Sequence, residues 1–262
     1  MRVAGLAFDR VTEADVVGHV VTAVCEGRGG WIATPNVDIC RAARRDSAQR
    51  RLLAGASLVV PDGMPLIWAA RMLGNPLPER VTGSSLIFSL SGQAAASGRS
   101  IYLLGGEPGV AALAAAELGR RYPGLIVAGT DAPARGFDTS PDGTAGVLGR
   151  LVAASPDIVF VGLGFPRQER LISALAPLLP ATWFVGCGAA IPIAAGVLPR
   201  APGWMQEYGL EWVFRLINEP RRLFRRYVVR DLPFAACLFA ACAALRLRAV
   251  CRRHRTWRRP RR

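Results

Sequence analysis

The chain has 262 residues, 51% of them hydrophobic, and its 33 basic residues against 19 acidic ones give a net charge of +14. That length supports one sizeable core plus an appendage. Two histidines, and six cysteines without a C-x-x-C pair, exclude His-based triads, His-metal clusters and a zinc ribbon, and the cysteines suit buried thiols in a reducing cytosol, not a disulfide framework. The first 17 residues contain Asp9, Glu13 and Asp15 and lack a basic stretch followed by an apolar one, so they do not read as a signal peptide. From residue 30 to 190 short apolar runs alternate with helix-like stretches. The pattern predicts strands at Trp31–Ala33, Leu58–Val60, Ser100–Leu104, Leu125–Ala128, Ile158–Gly162 and Thr182–Val185. Between and after them it predicts helices over Val37–Leu53, Pro65–Leu73, Ser84–Ser97, Gly109–Tyr122, Ala145–Ala154 and Gln168–Leu179, with Arg135–Gly143 as a loop. Such alternation implies an α/β protein with a parallel sheet flanked by helices.

In open parallel sheets function collects at the carboxyl ends of the strands. Turn residues and polar groups follow five of the predicted strands here. Asp62, in Pro61-Asp62-Gly63, reads either as the N-cap of the next helix or as a general base for a hydroxyl nucleophile. Gly105-Gly106-x-x-Gly109 can present backbone N–H groups to a phosphate, or can simply make a tight turn. Asp131 follows the next strand, where a nicotinamide enzyme would carry its ribose-binding acid, so a nucleotide-dependent oxidoreductase stays open. Gly164-Phe165-Pro166-Arg167-Gln168-Glu169 puts an Arg and an amide at a helix start, suited to a diphosphate and to a sugar or uracil edge.

Charge divides the chain in two. Residues 1–199 carry 17 Arg against 15 acids, whereas residues 200–262 carry 16 Arg against 4. We therefore expect a catalytic domain over 1–199 and a basic, amphipathic appendage over 200–262. Pro220 should start or kink a helix, and Arg222 with Arg225 or Arg226 would share one helical face beside Leu223, Phe224 and Tyr227. The apolar run Leu232–Leu245 has 14 residues, about 21 Å as a helix, too short to span a bilayer but long enough to lie on one. Nine more Arg follow within residues 246–262. Aromatics interleaved with Arg favour an anionic membrane surface. Without an RNP, helix-turn-helix or zinc pattern, nucleic acid is not expected as the partner.

Nine motifs in order give the chain a recognisable character: Thr34-Pro35-Asn36, Pro61-Asp62-Gly63, Val81-Thr82-Gly83, Leu104-Gly105-Gly106, Tyr122-Pro123, Gly162 to Glu169, Pro199-Arg200-Ala201-Pro202, Gly209-Leu210-Glu211-Trp212 and Glu219-Pro220. Through them the chain resembles the WecG/TagA/CpsF glycosyltransferase family. The resemblance implies a Rossmann-like, metal-independent, inverting enzyme without a cofactor. It would move N-acetylmannosamine, its uronic acid or a hexose from a UDP-sugar to a polyprenyl-diphosphate-linked sugar. The work would take place at the cytoplasmic membrane face, in teichoic acid, common antigen or exopolysaccharide synthesis. The family's catalytic base falls on Asp62 and its substrate-contacting residues on Thr34, Asn36 and Gln168. Gly105, Gly106 and Arg200 join them as candidate substrate contacts, and the family's basic appendage would supply Arg215, Arg222 and Arg225. Many family members carry an aromatic–Asp–aromatic triplet where this chain has Ile191-Pro192-Ile193, so a different sugar pocket is expected. The rival readings are the oxidoreductase, which needs Asp131, and a non-enzymatic anionic-surface binder. The exposed apolar tail could also drive self-association into a homo-oligomer.

Overall fold

Alternate residues along the central strands face opposite sides of a sheet, and here both sides are buried, which is why the strands read as continuous apolar runs. A computed structural model describes the backbone of residues 1–257 and the side chains of residues 1–248. Strands β3 (Gly30–Ala33), β4 (Leu58–Val59), β5 (Ser100–Gly105), β6 (Ile126–Asp131), β7 (Ile158–Gly162) and β8 (Trp183–Gly186) form one parallel sheet in the order β4-β3-β8-β7-β5-β6. The fold is the Rossmann-like α/β architecture expected from the sequence. A small antiparallel hairpin, β1 (Arg2–Val3) with β2 (Leu6–Ala7), precedes it.

One face of the sheet, through Trp31, Ala33, Tyr102, Leu104, Val159, Val161 and Phe184, packs in a single cluster with α2 (Val37–Arg45), α3 (Ser47–Ala54), α4 (Met64–Met72), α7 (Pro141–Ala154) and α8 (Arg167–Leu175). The other face, through Ile32, Ile101, Leu103, Ile158, Phe160, Trp183 and Val185, packs with α1 (Glu13–Cys25), α5 (Gly83–Ser97), α6 (Val110–Arg121) and α9 (Ala190–Ala194).

Local chemistry explains where the elements differ from expectation. The helix expected over Val37–Leu53 divides at Asp46, whose carboxylate accepts from the Ala48 N–H at 2.8 Å and so caps a new helix. Part of the expected 135–143 loop is helical, because Ser140 caps α7 and Pro141 occupies its first turn. Helix α1 lies before the alternating stretch, and its start is encoded in Thr12-Glu13-Ala14-Asp15, a capping box with both reciprocal bonds formed.

Beyond residue 199 the chain forms α10 (Gly203–Glu207), α11 (Glu211–Asn218), α12 (Pro220–Phe224), a π-helical stretch (Arg225–Asp231) and α13 (Leu232–Trp257). Pro220 does start a helix. Helix α13 packs against α4, and its Leu238 and Cys242 join the same cluster as the sheet. One correction concerns length. The helical run Pro220–Arg248 has 29 residues and is long and apolar enough to cross a membrane, although only 14 of its residues form the clean apolar run. In its most apolar window 22% is buried against the protein. Of the nine terminal arginines, Arg246 and Arg248 have described side chains; the others, with Cys251 and His254, fall outside the residues whose side chains are described. Among the described cysteines Cys40, Cys187 and Cys242 are buried, Cys25 and Cys237 are exposed, and all five are free thiols.

Candidate active site

Two neighbouring strand ends set the floor of the site. Backbone pairing continues past β3 and β4, with the Val60 N–H donating to the Ala33 carbonyl at 2.9 Å and the Asp62 N–H to the Pro35 carbonyl at 3.1 Å. The Val81 N–H then donates to the Pro61 carbonyl at 3.0 Å, which brings Val81-Thr82-Gly83 alongside. Gly83 must be glycine, since a Cβ there would lie 2.7 Å from the Cys187 Cα. Three of the sequence motifs are therefore bound together by main-chain hydrogen bonds.

Above this floor lies a cavity of about 250 Å³ lined from both the sheet and the C-terminal helices. The body contributes Asn36, Asp38, Asp62 and Arg80, with Met64, Pro65 and Trp68 of α4. The C-terminal region contributes Glu211, Trp212, Arg215, Arg226, Tyr227 and Asp231, with Leu232, Ala235 and Phe239 of α13. Asp62 does not cap α4: Gly63 occupies that position, and the helix start receives no side-chain hydrogen bond. The carboxylate is thus left to the cavity. Burial first, and then the negative charge of Glu211, raise its pKa to about 6 against the opposing pull of Arg215, Arg80 and Arg226. A carboxylate with such a pKa is ionised at neutral pH and more basic than an ordinary aspartate, as a general base requires.

Two ion-pair clusters flank it. Glu211 accepts from Arg80 Nη1 at 2.8 Å through one oxygen and from Arg215 Nη2 at 3.0 Å through the other. Burial pushes the Glu211 carboxyl up, but Arg215, Arg80 and Arg200 outweigh it and hold its pKa below the usual value. On the other side Arg41 bonds Asp231 at 3.1 Å and also Asp38, while Arg226 lies 2.9 Å from Asp38. Tyr227 packs edge-on against Trp212 and stacks with Arg226.

The structure thus brings Asn36, Asp62 and Arg215 into one cavity and sets the other candidates elsewhere. Thr34 is buried behind it, donating its hydroxyl to the Gly186 carbonyl at 2.8 Å and joining the ends of β3 and β8. Asn36 spends its Oδ1 on capping α2, accepting from the Ile39 N–H at 3.1 Å. Gln168, 3% exposed, accepts from the Gly164 and Gly188 N–H groups, each at 3.1 Å, and donates to Glu169 at 2.9 Å. Its amide holds two loops together. Gly105 and Gly106 adopt φ of +121° and +84° at the end of β5, and a Cβ on Gly105 would lie 2.6 Å from the Gly162 carbonyl oxygen. Arg200 stacks on Phe88, 5.4 Å from the ring centroid. Arg222 pairs with Glu219 at 2.6 Å and stays largely exposed. Arg225 is exposed as well. Of the three arginines Arg222, Arg225 and Arg226, the one that lines the cavity is Arg226, at the start of the π-helical stretch. Asp131 is held by Arg150 at 2.7 Å.

Sequence reasoning passed over Arg80, Glu211, Asp38 and Asp231, and offered Arg226 only as an alternative to Arg225 on one helical face. Glu211 had a signal, since it sits within Gly209-Leu210-Glu211-Trp212, and Arg80 directly precedes Val81-Thr82-Gly83.

A strand-end carboxylate of raised pKa between two arginine clusters, with no nucleophile–base pair beside it among the described residues, fits displacement at a charged leaving group. The class is that of a sugar-transferring enzyme. The chain belongs to the WecG/TagA/CpsF glycosyl transferase family, whose model matches residues 1–248, and it is a glycosyltransferase. Similar proteins include an N-acetylglucosaminyldiphosphoundecaprenol N-acetyl-beta-D-mannosaminyltransferase of Bacillus spizizenii, 30% identical over 79% of this chain and 78% of the relative. A Bacillus subtilis protein of the same name is 31% identical over 74% of this chain and 73% of its own length. Another, from Staphylococcus aureus strain MW2, is 29% identical over 85% and 86%.

Proposed function

We propose that this glycosyltransferase moves an N-acetylmannosaminyl group, or a closely related hexosyl group, from a UDP-sugar to an N-acetylglucosamine carried on a polyprenyl diphosphate. The observation that carries the reading is Asp62, free of any capping duty in a cavity that also holds Arg80, Arg215 and Arg226. The relatives' names supply the acceptor and the transferred sugar. The acceptor hydroxyl oxygen attacks the anomeric carbon of the donor and its proton passes to Asp62. The bond from that carbon to the diphosphate oxygen breaks, and the electron pair leaves with UDP. A single displacement inverts the anomeric centre and needs no enzyme nucleophile. Charge developing on the departing diphosphate is met by arginines already fixed in place, the kind of preorganised stabilisation that lowers such barriers most.

Residues 200–262 act as the membrane-facing part, on the cytoplasmic leaflet. Trp204, Tyr208, Ile217, Phe224 and Val229 are each more than half exposed, interleaved with Arg221, Arg222, Arg225 and Arg230. Exposed aromatic and aliphatic side chains among arginines suit an anionic interface.

The test is UDP release from a panel of UDP-sugars, in EDTA, with polyprenyl-diphosphate-N-acetylglucosamine, by wild type and Asp62→Asn. Release by wild type alone is the expected result. Equal release by both proteins would remove Asp62 from the base role, and no release from any donor would overturn the transferase reading for these substrates.

A further inference from the structure

Helices α4 and α13 both begin at the charged end of the cavity and run away from it side by side. Met64 and Pro65 line the cavity with Leu232 and Ala235; one turn further on, Trp68 and Phe239 pack at a tilt of 43° with centroids 6.5 Å apart; beyond that, the Arg246 guanidinium lies over Gly74. The two helices are therefore parallel, and the groove between them opens directly off the chamber that holds Asp62. From Leu232 to Phe239 its walls extend about 10 Å along the helix and consist of the six residues from Met64 to Phe239 just named, none of them charged.

Polarity is therefore strongly graded along this one cavity. At the inner end are Asp62 and the arginines; at the outer end are an indole, a phenyl ring and aliphatic groups. Trp68 remains 38% exposed and Leu232 56%, although α13 lies against α4. A sugar nucleotide has no apolar part to place there. The acceptor does, because its diphosphate continues straight into a hydrocarbon chain.

We propose that the α4–α13 groove is the subsite for the first isoprene units of the acceptor lipid, with the acceptor diphosphate at the charged end of the cavity from which the groove opens. The inference rests on the transferase reading for the identity of the lipid. The wall residues then set a preference for acceptors with long isoprenoid tails. Burying hydrocarbon against Trp68 and Phe239 removes apolar area from water, and a tail lying along α13 leads out between the helices toward the exposed apolar surface of the appendage. The groove thus separates lipid-linked sugars from soluble sugar diphosphates.

The test uses the full chain with two acceptors, N-acetylglucosamine diphosphate esterified to undecaprenol and to a short alkyl alcohol, at fixed detergent. Wild type should prefer the long-tailed acceptor in kcat/KM. In Trp68→Ala and in Phe239→Ala the ratio of the two kcat/KM values should fall about tenfold, or about 1.4 kcal/mol of discrimination. An unchanged ratio, whether both values fall together or neither moves, would overturn the proposal and leave the aromatic pair as packing. A second measurement is independent of turnover: calorimetric titration with farnesyl diphosphate and with inorganic diphosphate. Tighter binding of the farnesyl compound to wild type, with the advantage lost in both variants, is expected. Equal binding of the two ligands to wild type would overturn the groove assignment. A protein that binds the farnesyl compound in this manner and yet releases no UDP from any donor would retain the groove and lose the transferase reading.

Discussion

The two walls of the cavity are held by different forces. The body wall is fixed by main chain: Asp62 lies three residues past the end of β4, its own N–H donates to the Pro35 carbonyl, and the strand before it is paired within the sheet. The opposite wall adds ion pairs, Glu211 with Arg80 and Asp231 with Arg41, to the apolar packing of α13 against α4. Hydrogen-bonded backbone in a sheet is hard to displace, whereas half-buried ion pairs can be undone by one substitution or by titration. The position of Asp62 is therefore set by the sheet, whereas its electrostatic surroundings depend on ion pairs.

The largest expected effect is that of removing the Asp62 carboxylate. Asp62→Asn should lower kcat by on the order of 10²–10⁴ while leaving donor binding within a few fold, read as UDP release and as calorimetric affinity for UDP. In wild type, kcat/KM should fall about tenfold per pH unit below pH 6, because the carboxyl raised to about 6 is then protonated. A flat acid limb down to pH 5 would show that Asp62 does not titrate in the reaction. On the other wall, Arg215→Ala should cost on the order of 10²-fold in kcat, since it removes a fixed positive charge near the base, and Arg215→Lys should recover part of it. If Arg215→Ala matched wild type, the C-terminal wall would be scaffolding only.

Glu211 distinguishes a charge-held wall from a packed one. Glu211→Gln keeps the shape but weakens the hold on Arg80 and Arg215, so kcat/KM should fall about tenfold. The acid limb should also move to lower pH, because Glu211 is the charge that raises the Asp62 pKa. A residue that mattered only for packing would lower activity without moving the limb. A pH–rate profile of the variant therefore decides between the two roles.

The same contrast governs what could be read from sequence. Sheet, helix order and Asp62 were legible because each depends on local pattern: continuous apolar runs, turn residues after them, and an acid soon after a strand. Asn36 was legible for the same reason. Arg215 became a candidate only through family resemblance. Arg226 was half legible: it appeared as an alternative to Arg225, and only the three-dimensional arrangement, with Arg226 lining the cavity and Arg225 exposed, decides between them. The partnership of Arg80 with Glu211 spans 131 residues, and that of Arg41 with Asp231 spans 190. Neither spacing leaves any periodic trace. Gln168 shows the opposite case: the motif marks the residue, and what its spacing does not reveal is that its bonds to Gly164, Gly188 and Glu169 join two loops. The alternation of elements also gave no hint that α13, although rich in exposed apolar surface, would insert Leu238 and Cys242 into the main core.

The smallest predicted effect concerns the body alone and tests whether its rigidity carries a cost in charge. Glu169, 1% exposed, accepts from Gln168 with one oxygen, and its other oxygen has no protein partner. Burial raises its pKa to about 7 from an ordinary 4.5. A carboxyl whose pKa is higher in the folded than in the unfolded state holds its proton more tightly when folded. Stability therefore declines as pH rises from about 4.5 to about 7, and above that the buried charge is a constant burden. Glu169→Gln removes the burden and keeps a group that can still accept from Gln168. The variant should match wild type in thermal midpoint near pH 4.5 and exceed it by a few degrees at pH 8, corresponding to about 1–2 kcal/mol. A midpoint that rises equally at both pH values would mean better packing instead of relief from a buried charge. A fall at pH 8 would mean that the ionised carboxylate is itself part of the strut, and that the body wall, like the appendage wall, depends on charge.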